Sequence, residues 1–354
     1  MENIISSNTS LLEALEKLNR LPGNAMTLFI TDSDGRLAGT LTDGDIRRAL
    51  LRGVALGAPA IDAAHSSFKA LRPGCDDAVN QLRAFREAGI KLVPRLDGEG
   101  RIAEIIDLNT TRTRLPLSAI LMAGGKGERL RPLTLTRPKP LLEIEGKAII
   151  DYNIEALAAS GISDIYVTTR YLADQIAAHF ASPVAGVQVK CVEESTPLGT
   201  IGAATLVDLP TDGDTLVMNS DLLTTVSFEE LYLKHRDSHA DITIAVVPYQ
   251  VAVPYAILTL DGDRVTGLAE KPSYSYYANA GIYIFGNRTL RTLQPGVRTD
   301  ATDLIERTIA AGGNVAYYPI KGTWIDVGSP TDFRQAAELM RHHNTLASTS
   351  RTLL

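Results

Sequence analysis

The sequence predicts two domains: a small α+β unit made of two copies of one motif, then a larger α/β domain with a mixed, mostly parallel sheet. Three observations lead there. At 354 residues the chain is long for one domain, and division in two leaves length for a sizeable core in the larger part. A pattern near the start returns 65 positions on, with Gly35 recurring as Gly100. From Leu117 onward, short apolar runs alternate with amphipathic segments, the rhythm of strands and helices in turn.

In the small unit, Ser10 to Glu13 has the spacing of a helix capping box. Leu11, Leu12, Leu15 and Leu18 follow at helical spacing, and Pro22-Gly23 stops the element. Two strand-like runs, "MTLFIT" and "RLAGTLT", are joined by "DSDG" into a hairpin, and "DGDIRRALLRG" begins a helix with aspartate at its head. The second copy repeats the order as "DDAVNQLRAFREAG", "IKLVPRL", "DGEG" and "RIAEIID". "LNTTRTRLP", Leu108 to Pro116, reads as a polar linker.

The hairpin's end, Gly39-Thr40-Leu41-Thr42-Asp43-Gly44-Asp45, resembles the ligand signature of CBS domains, regulatory modules that commonly bind adenine nucleotides. The resemblance implies a CBS pair over residues 1–113. A regulatory nucleotide would meet Gly39, Thr40, Thr42 and Asp45, with the hydroxyl and the carboxylate bonding phosphate and ribose beside a helix N-terminus. The second copy is degenerate: the positions matching Gly39, Thr42 and Asp45 are Glu104, Asp107 and Thr110. At most one intact nucleotide site per chain is expected. A docking and dimerisation module, with "TDGD" simply a capped turn, stands beside this reading.

In the larger domain "SAILMA", "DIYVTT", "VQVKCV" and "DTLVMN" read as strands. "AIIDYNIEALAAS", "YLADQIAAHF" and "TIGAATLVDL" read as the helices between them, with a ligand site expected beyond the carboxyl ends of the strands. There "AILMAGGKGERLRPLTLTRPKPLLEI" runs from a strand into a glycine-rich loop. A Walker A loop fails because Lys126 is followed by Gly127, and a dinucleotide fingerprint fails because the third glycine is replaced by Leu130. What remains is a loop able to bring backbone N–H groups against phosphates, carrying Arg129, with Lys139 between Pro138 and Pro140.

Glycines, then Arg-Leu-x-Pro-Leu, then Pro-Lys-Pro resemble the signature of the sugar-1-phosphate nucleotidyltransferases. "TPLGTIGA", "MNSDLL", "AEKP", "NAGIYIF" and "WIDVGSP" follow in the family's order. The resemblance implies a Rossmann-like, GT-A-like catalytic domain over residues 117–345, in which a sugar 1-phosphate attacks a nucleoside triphosphate and releases pyrophosphate. It implies that Asp221 and Asp326 hold Mg²⁺, that Arg129 and Lys139 face the triphosphate, and that Ala123, Gly124, Gly125 and Gly127 wrap its phosphates. Pro197, Gly199 and Thr200 would meet the base, Lys271 the sugar phosphate, and Glu270, Asn279 and Gly281 the sugar hydroxyls. "PLGT" is similar to the mannose-1-phosphate guanylyltransferase branch, which favours GTP, and a CBS pair ahead of such a domain resembles guanylyltransferases of bacterial surface-sugar pathways, which implies mannose 1-phosphate or glucosamine 1-phosphate as acceptor. A thymidylyl- or uridylyltransferase acting on glucose 1-phosphate, and a non-catalytic sugar-nucleotide sensor, are the alternatives.

Taken singly, these residues have plainer readings. Asp221 or Asp326 alone would cap a turn, Lys271 would be a solvated lysine, and Trp324 is a packing residue rather than a stacking one. Arg131 has no place in the pattern and belongs on the surface. His235 and His239 share one helical face without H-E-x-x-H, which predicts a solvated face. "SYSYYA" reads as a pocket wall or ordinary strand packing, and the tail "NTLASTSRTLL" as disordered.

A net charge of -6 argues against a nucleic-acid partner. No apolar run approaches the ~20 residues of a membrane span, and the N-terminus lacks signal-peptide character, so a cytoplasmic protein is expected. Cys75 and Cys191 form no C-x-x-C and suggest neither zinc nor a disulfide framework. A homo-oligomer, dimer or tetramer, is expected by resemblance.

Overall fold

A computed structural model describes the chain apart from Met1, residues 23–25, 75–76 and 352–354, with backbone alone over 342–351. The expected helix stop at Gly23, the start of the second copy's helix at Asp76, and Cys75 lie outside the described residues. The chain clusters into two compact units, Met1–Arg114 with Ala159–Gly161, and Leu115–Ala158 with Ile162–Leu354.

In the first unit, β1 (Ile4–Ser6) runs parallel to β2 (Thr27–Thr31), which pairs antiparallel with β3 (Leu37–Thr42). Helices α1 (Leu11–Arg20) and α2 (Asp43–Leu51) cover one face. The Ser10–Glu13 capping box forms as the spacing predicts. Leu11 and Leu18 of α1 are buried against Leu28, Ile30 and Leu41, whereas Leu12, on the far side of the helix, is exposed. The second copy supplies α3 (Ala78–Glu87) and an antiparallel pair, β4 (Leu92–Leu96) and β5 (Ile102–Asp107). Strand alternation then joins the copies: Phe29 and Leu37 point away from their own helices and pack with Leu92 and Leu96. Leu108, expected to begin the linker, belongs to the second copy's core with Leu82, Val93 and Ile106.

In the second unit, β6 (Leu117–Ala123) is followed by short β7 (Glu143–Ile144) and β8 (Lys147–Ala148), α4 (Ile149–Ala159), β9 (Asp164–Thr169), α5 (Ala173–His179) and β10 (Lys190–Glu193). Then come β11 (Asp214–Asn219), β12 (Leu222–Thr224), α6 (Phe228–Asp237), β13 (Ile242–Ala252), β14 (Ile257–Asp261), β15 (Arg264–Ala269) and β16 (Ser273–Gly286). The remainder is α7 (Asn287–Leu290), α8 (Ala301–Ala310), β17 (Val315–Pro319), β18 (Trp324–Asp326) and α9 (Pro330–Arg351). Among the described residues the main sheet has seven strands in the order β10-β9-β6-β11-β16-β13-β17. β10, β9, β6 and β11 are mutually parallel, β16 is antiparallel to both neighbours, and β13 is parallel to β17. The mixed, largely parallel sheet of the sequence reading is therefore present.

Several expectations are corrected. "TIGAATLVDL" contains only a short 3-10 turn, Gly202–Leu206, because Gly202 and Pro210 bracket it and Thr205 bonds back to the Gly202 carbonyl. His235 does not face solvent: it is 3% exposed, with Nδ1 at 2.8 Å from the Thr243 hydroxyl. The apolar face of α6, not its polar one, carries this histidine. Helix α9 continues through Arg351, into the tail read as disordered. Trp324, half-buried, donates its indole N–H to the Ala280 carbonyl at 2.9 Å, and Arg131 is exposed.

Candidate active site

The carboxyl ends of β6, β9, β10 and β11 open onto one cavity of about 670 Å³. β6 delivers the glycine loop. A methyl group on Gly124 would lie 2.8 Å from Glu194 Oε1, so the carboxylate lies against bare backbone. Gly127 has φ +60°, and a side chain there would meet Thr134 Cγ2 at 2.9 Å and Lys139 Cβ at 3.1 Å. The loop is thus folded back onto the arm that carries Lys139, and the Thr134 hydroxyl donates to the Gly127 carbonyl at 2.8 Å. A 3-10 turn from Glu128 to Leu130 follows and presents Arg129, whose guanidinium lies where Gly328 leaves room: a methyl there would be 2.9 Å from Nη2.

Lys139 begins a second 3-10 turn, with Pro138 before and Pro140 after it fixing the backbone. It is 8% exposed, and its ammonium contacts the Asp221 carboxylate and stands 3.6 Å from Asp326 Oδ1. The two aspartates, far apart in sequence, meet because β12 and β18 pair antiparallel with Leu222 opposite Asp326, and the Val327 amide donates to the Asp221 carbonyl at 3.1 Å. Asp221 Oδ1 is buried without a hydrogen-bond partner. Burial, then the neighbouring Asp221 carboxylate, push the Asp326 carboxyl above its ordinary value, against Lys139 and Arg129, which pull it down.

On the opposite wall, Gly199 takes φ +79° and its turn is clamped to the loop before α8. The Thr299 amide donates to the Leu198 carbonyl at 2.9 Å, the Thr200 amide to Asp300 Oδ1 at 2.9 Å, and the Ala301 amide to the Thr200 hydroxyl at 2.7 Å.

The structure gathers Ala123, Gly124, Gly125, Gly127, Arg129, Lys139, Pro197, Gly199, Thr200 and Asp221 around this cavity, with Asp326 reached through Lys139. It does not bring Glu270 and Lys271 there. Both are exposed on the turn between β15 and β16, where Lys271 has φ +44°. Asn279 spends its amide within its own strand, accepting from the Gly281 amide and donating to the Tyr283 hydroxyl, both at 2.9 Å. Gly281 adjoins the cavity through Asn219, whose Nδ2 would lie 2.5 Å from a methyl placed there.

Sequence reasoning missed Arg170, Glu194, Asn219, Arg298 and Asp300, all in the cavity wall. Arg170 and Glu194 each follow a parallel strand directly, a positional signal that could have found them. Burial raises the Glu194 carboxyl, against the Leu198 amide, which donates to Oε2 at 3.1 Å, and Arg170. Arg298 and Asp300 carry no such signal, since an aspartate before a helix reads as a cap. Among the described residues no group of three or more His, Cys, Asp or Glu could hold a metal ion, and no helix is long and apolar enough to cross a membrane.

In the first unit, Thr42 and Asp45 are consumed by each other. The Asp45 amide donates to the Thr42 hydroxyl at 3.3 Å, while the Thr42 amide and hydroxyl donate to Asp45 Oδ2 at 2.9 and 2.6 Å. Arg48 pairs with the second oxygen at 2.6 Å.

A glycine loop at a parallel-strand end, two basic groups and a carboxylate pair sharing a lysine thus line one cavity of an α/β domain. Residues 118–343 match the nucleotidyl transferase family, and the chain belongs to it. Residues 3–52 match the CBS domain. The chain is 31% identical over 247 residues to the mannose-1-phosphate guanylyltransferase catalytic subunit beta of Dictyostelium discoideum, covering 67% of this chain and 68% of that one. It is 33% identical over 230 residues to a mannose-1-phosphate guanyltransferase of Neurospora crassa, with 61% and 62% covered. It is 33% identical over 235 residues to a mannose-1-phosphate guanylyltransferase of Mycobacterium tuberculosis, with 64% and 65% covered. The chain spans about three-fifths to two-thirds of the length of the curated relatives it matches. In fold it is similar to HddC from Yersinia pseudotuberculosis, with a TM-score of 0.50 at 24% identity over 63% of this chain and 99% of that one. A Bacillus anthracis structure described as a glucose-1-phosphate thymidylyltransferase gives 0.52 at 22% identity over 64% and 95%.

Proposed function

We propose that the protein is a sugar-1-phosphate nucleotidyltransferase that joins GTP to mannose 1-phosphate or glucosamine 1-phosphate, releasing pyrophosphate. The observation that carries this reading is Lys139, buried between Asp221 and Asp326 at the end of a glycine loop, with one Asp221 oxygen unpartnered. A buried carboxylate oxygen without a donor, beside a second carboxyl whose ionisation burial and like charge oppose, fits a divalent cation. Two carboxylates suit Mg²⁺, which completes its shell with waters and phosphate oxygens. When bound by Asp221 and Asp326, Mg²⁺ supplies charge neutralisation on the triphosphate.

An oxygen of the sugar 1-phosphate attacks the α-phosphorus, the bond to the bridging oxygen breaks, and pyrophosphate leaves with the electron pair. The nucleophile is ionised near neutral pH, because a phosphate monoester loses its second proton near pH ~6, and no general base is needed. The chain's own work is positioning and electrostatics. Backbone N–H groups at Gly124, Gly125 and Gly127 hold the outer phosphates, and Arg129 and Lys139 offset the charge gathering on the leaving group. Glu270 and Lys271, exposed on a turn that does not line the cavity, are given no part in the reaction. Glu194 supports the choice of base: a carboxylate only accepts, and guanine offers two neighbouring donors on one edge.

Pyrophosphate release with each nucleoside triphosphate and a panel of hexose 1-phosphates tests the reading. Turnover should be greatest with GTP and a mannose or glucosamine 1-phosphate, and absence of release with every pair would overturn it. For the first unit the capping box accounts for Thr42 and Asp45 without a ligand. A regulatory nucleotide there is retained only if calorimetry on the full chain finds a site that survives Asp221→Ala and is lost in Asp45→Asn.

A further inference from the structure

Between the two cations of the active site lies a stretch with little structure of its own. Residues 131–138, between the turn of Arg129 and Lys139, run as successive turns. Their backbone bonds are local: the Leu133 amide donates to the Leu130 carbonyl at 3.0 Å and the Leu135 amide to the Pro132 carbonyl at 3.1 Å. Leu133 and Leu135 are exposed, while Thr134 between them is 1% exposed. Turns with so few buried side chains are the parts of a fold that open most readily, unless something outside them holds on.

The hold comes from the chain leaving β9. The Tyr171 hydroxyl shares its proton between the Thr134 carbonyl at 2.9 Å and the Leu135 carbonyl at 3.2 Å. The Gln175 side-chain amide donates to the Thr136 carbonyl at 2.9 Å. Three consecutive carbonyls are thus held by side chains of one neighbouring segment. The backbone of that segment is bent to do it: Leu172 takes φ +51°, a costly conformation for leucine, and α5 starts only at Ala173, although the sequence reads as helical from Tyr171. Strain of this kind persists where the surroundings over-determine it. Arg170, immediately before, lines the cavity.

Thr134 passes the constraint on. Its hydroxyl donates to the Gly127 carbonyl at 2.8 Å, and its Cγ2 occupies the space that a side chain at Gly127 would need. The Gly127–Glu128 peptide is planar and trans, so with its carbonyl turned to Thr134 its N–H points the opposite way, and Glu128 lines the cavity. We infer that Tyr171, Gln175 and Thr134 are positioning residues for nucleotidyl transfer, bracing the glycine loop and the segment between Arg129 and Lys139; the inference rests on the function proposed above. None of the three lines the cavity, so each acts through the residues it holds.

Steady-state pyrophosphate release by the full chain, with the substrate pair that the wild type turns over fastest, tests the brace. Tyr171→Phe removes only a hydroxyl and should fold. Its kcat should fall ~10-fold, the factor that the loss of ordinary hydrogen bonds represents. The Michaelis constant for the sugar 1-phosphate should not change, because the braced groups act on the triphosphate. Thr134→Val should act in the same direction and Thr134→Ser should restore most of the rate. Combining Tyr171→Phe with Thr134→Val should cost less than the product of the single losses, since both bonds lie on one path. Tyr152→Phe is the control: it also loses a tyrosine-to-carbonyl bond, 2.8 Å to Ile144 and away from the cavity, and should leave kcat unchanged. Hydrogen exchange reads the brace without turnover: amides of residues 127–136 should exchange faster in Tyr171→Phe, with those of β6 and β9 unchanged. Wild-type kcat in Tyr171→Phe, an equal rate loss in Tyr152→Phe, no rescue by Thr134→Ser, or unaltered exchange in the loop would each overturn the inference. A wild type that releases no pyrophosphate with any pair would instead overturn the function on which it rests.

Discussion

Gly199→Ala should damage the second unit by an amount that can be worked out in advance. The residue has φ +79°, and a methyl group would lie 2.4 Å from the Thr299 carbonyl oxygen, 2.8 Å from its carbon and 2.9 Å from Asp300 Oδ1. The obstruction is mostly backbone, which cannot rotate aside. Left-handed geometry costs a non-glycine residue about 1–2 kcal/mol, and forced overpacking adds about 1–3 kcal/mol. Together these come to roughly 2–5 kcal/mol, and in a domain of this size each kcal/mol lowers the melting temperature by about 2–4 °C. A drop of ~4–20 °C in the second unit's transition is expected, read by calorimetry. Nucleotide affinity should fall with it, because relieving the clash pulls the turn off the Thr299, Asp300 and Ala301 bonds that shape the wall. Gly125→Ala is the control: nothing lies within 4 Å of its new methyl, so stability should stay within about 0.5 kcal/mol. A Gly199→Ala protein that melts within ~1 °C of wild type and binds nucleotide normally would refute the argument.

Four further outcomes are expected. Asp221→Ala should lower metal-dependent pyrophosphate release by at least ~100-fold while the second unit stays folded, since Lys139 keeps Asp326 as a partner at 3.6 Å; retained turnover would remove Asp221 from the metal site. Gly125→Ala, neutral for stability, should raise the Michaelis constant for the nucleotide if the loop's backbone meets phosphates, and an unchanged constant would count against that role. Thr42→Ala should cost the first unit about 1 kcal/mol in denaturant titration through loss of the α2 cap, with Thr42→Ser restoring most of it. Glu104 is raised by burial but lowered further by hydrogen bonds from Arg114 and Arg95, so its folded carboxyl lies below the ordinary 4.5. Its contribution is therefore fully present above that pH and is lost as pH falls through the lower folded value. Glu104→Gln should flatten this acid limb in urea titrations of the first unit, and an unchanged limb would show that other carboxylates govern it.

What the sequence disclosed was what local chemistry encodes. The capping boxes at Ser10 and Thr42 require only four residues and a side-chain reach, and both form. Parallel strands carried by short unbroken apolar runs, such as residues 119–123 and 216–218, are recognisable because burial on both faces leaves no alternation to misread. The glycine loop was legible as a motif, although what its glycines make room for lies farther along the chain: Gly124 faces Glu194, and Gly127 faces Thr134 and Lys139. His235 was misread because a histidine at helical spacing looks alike on either face. Thr243 at one ring nitrogen and Asp214 Oδ1, 3.4 Å from the other, make the interior tolerable to the imidazole.

The meeting of Asp221 with Asp326 belongs to a different kind of information. β12 and β18 are three residues each, too short to show a period, and their pairing joins segments that nothing local relates. Resemblance to a family suggested that the two aspartates act together; the residues alone suggested two turn caps. The ribbon of β13 and β16 shows the converse case. "SYSYYA" offered a pocket wall and ordinary packing as equal readings, because a sequence specifies which side chains share a face but not what covers it. Register places Tyr274 and Tyr276 on one face with Tyr249 and Val251, and all four stay exposed among the described residues.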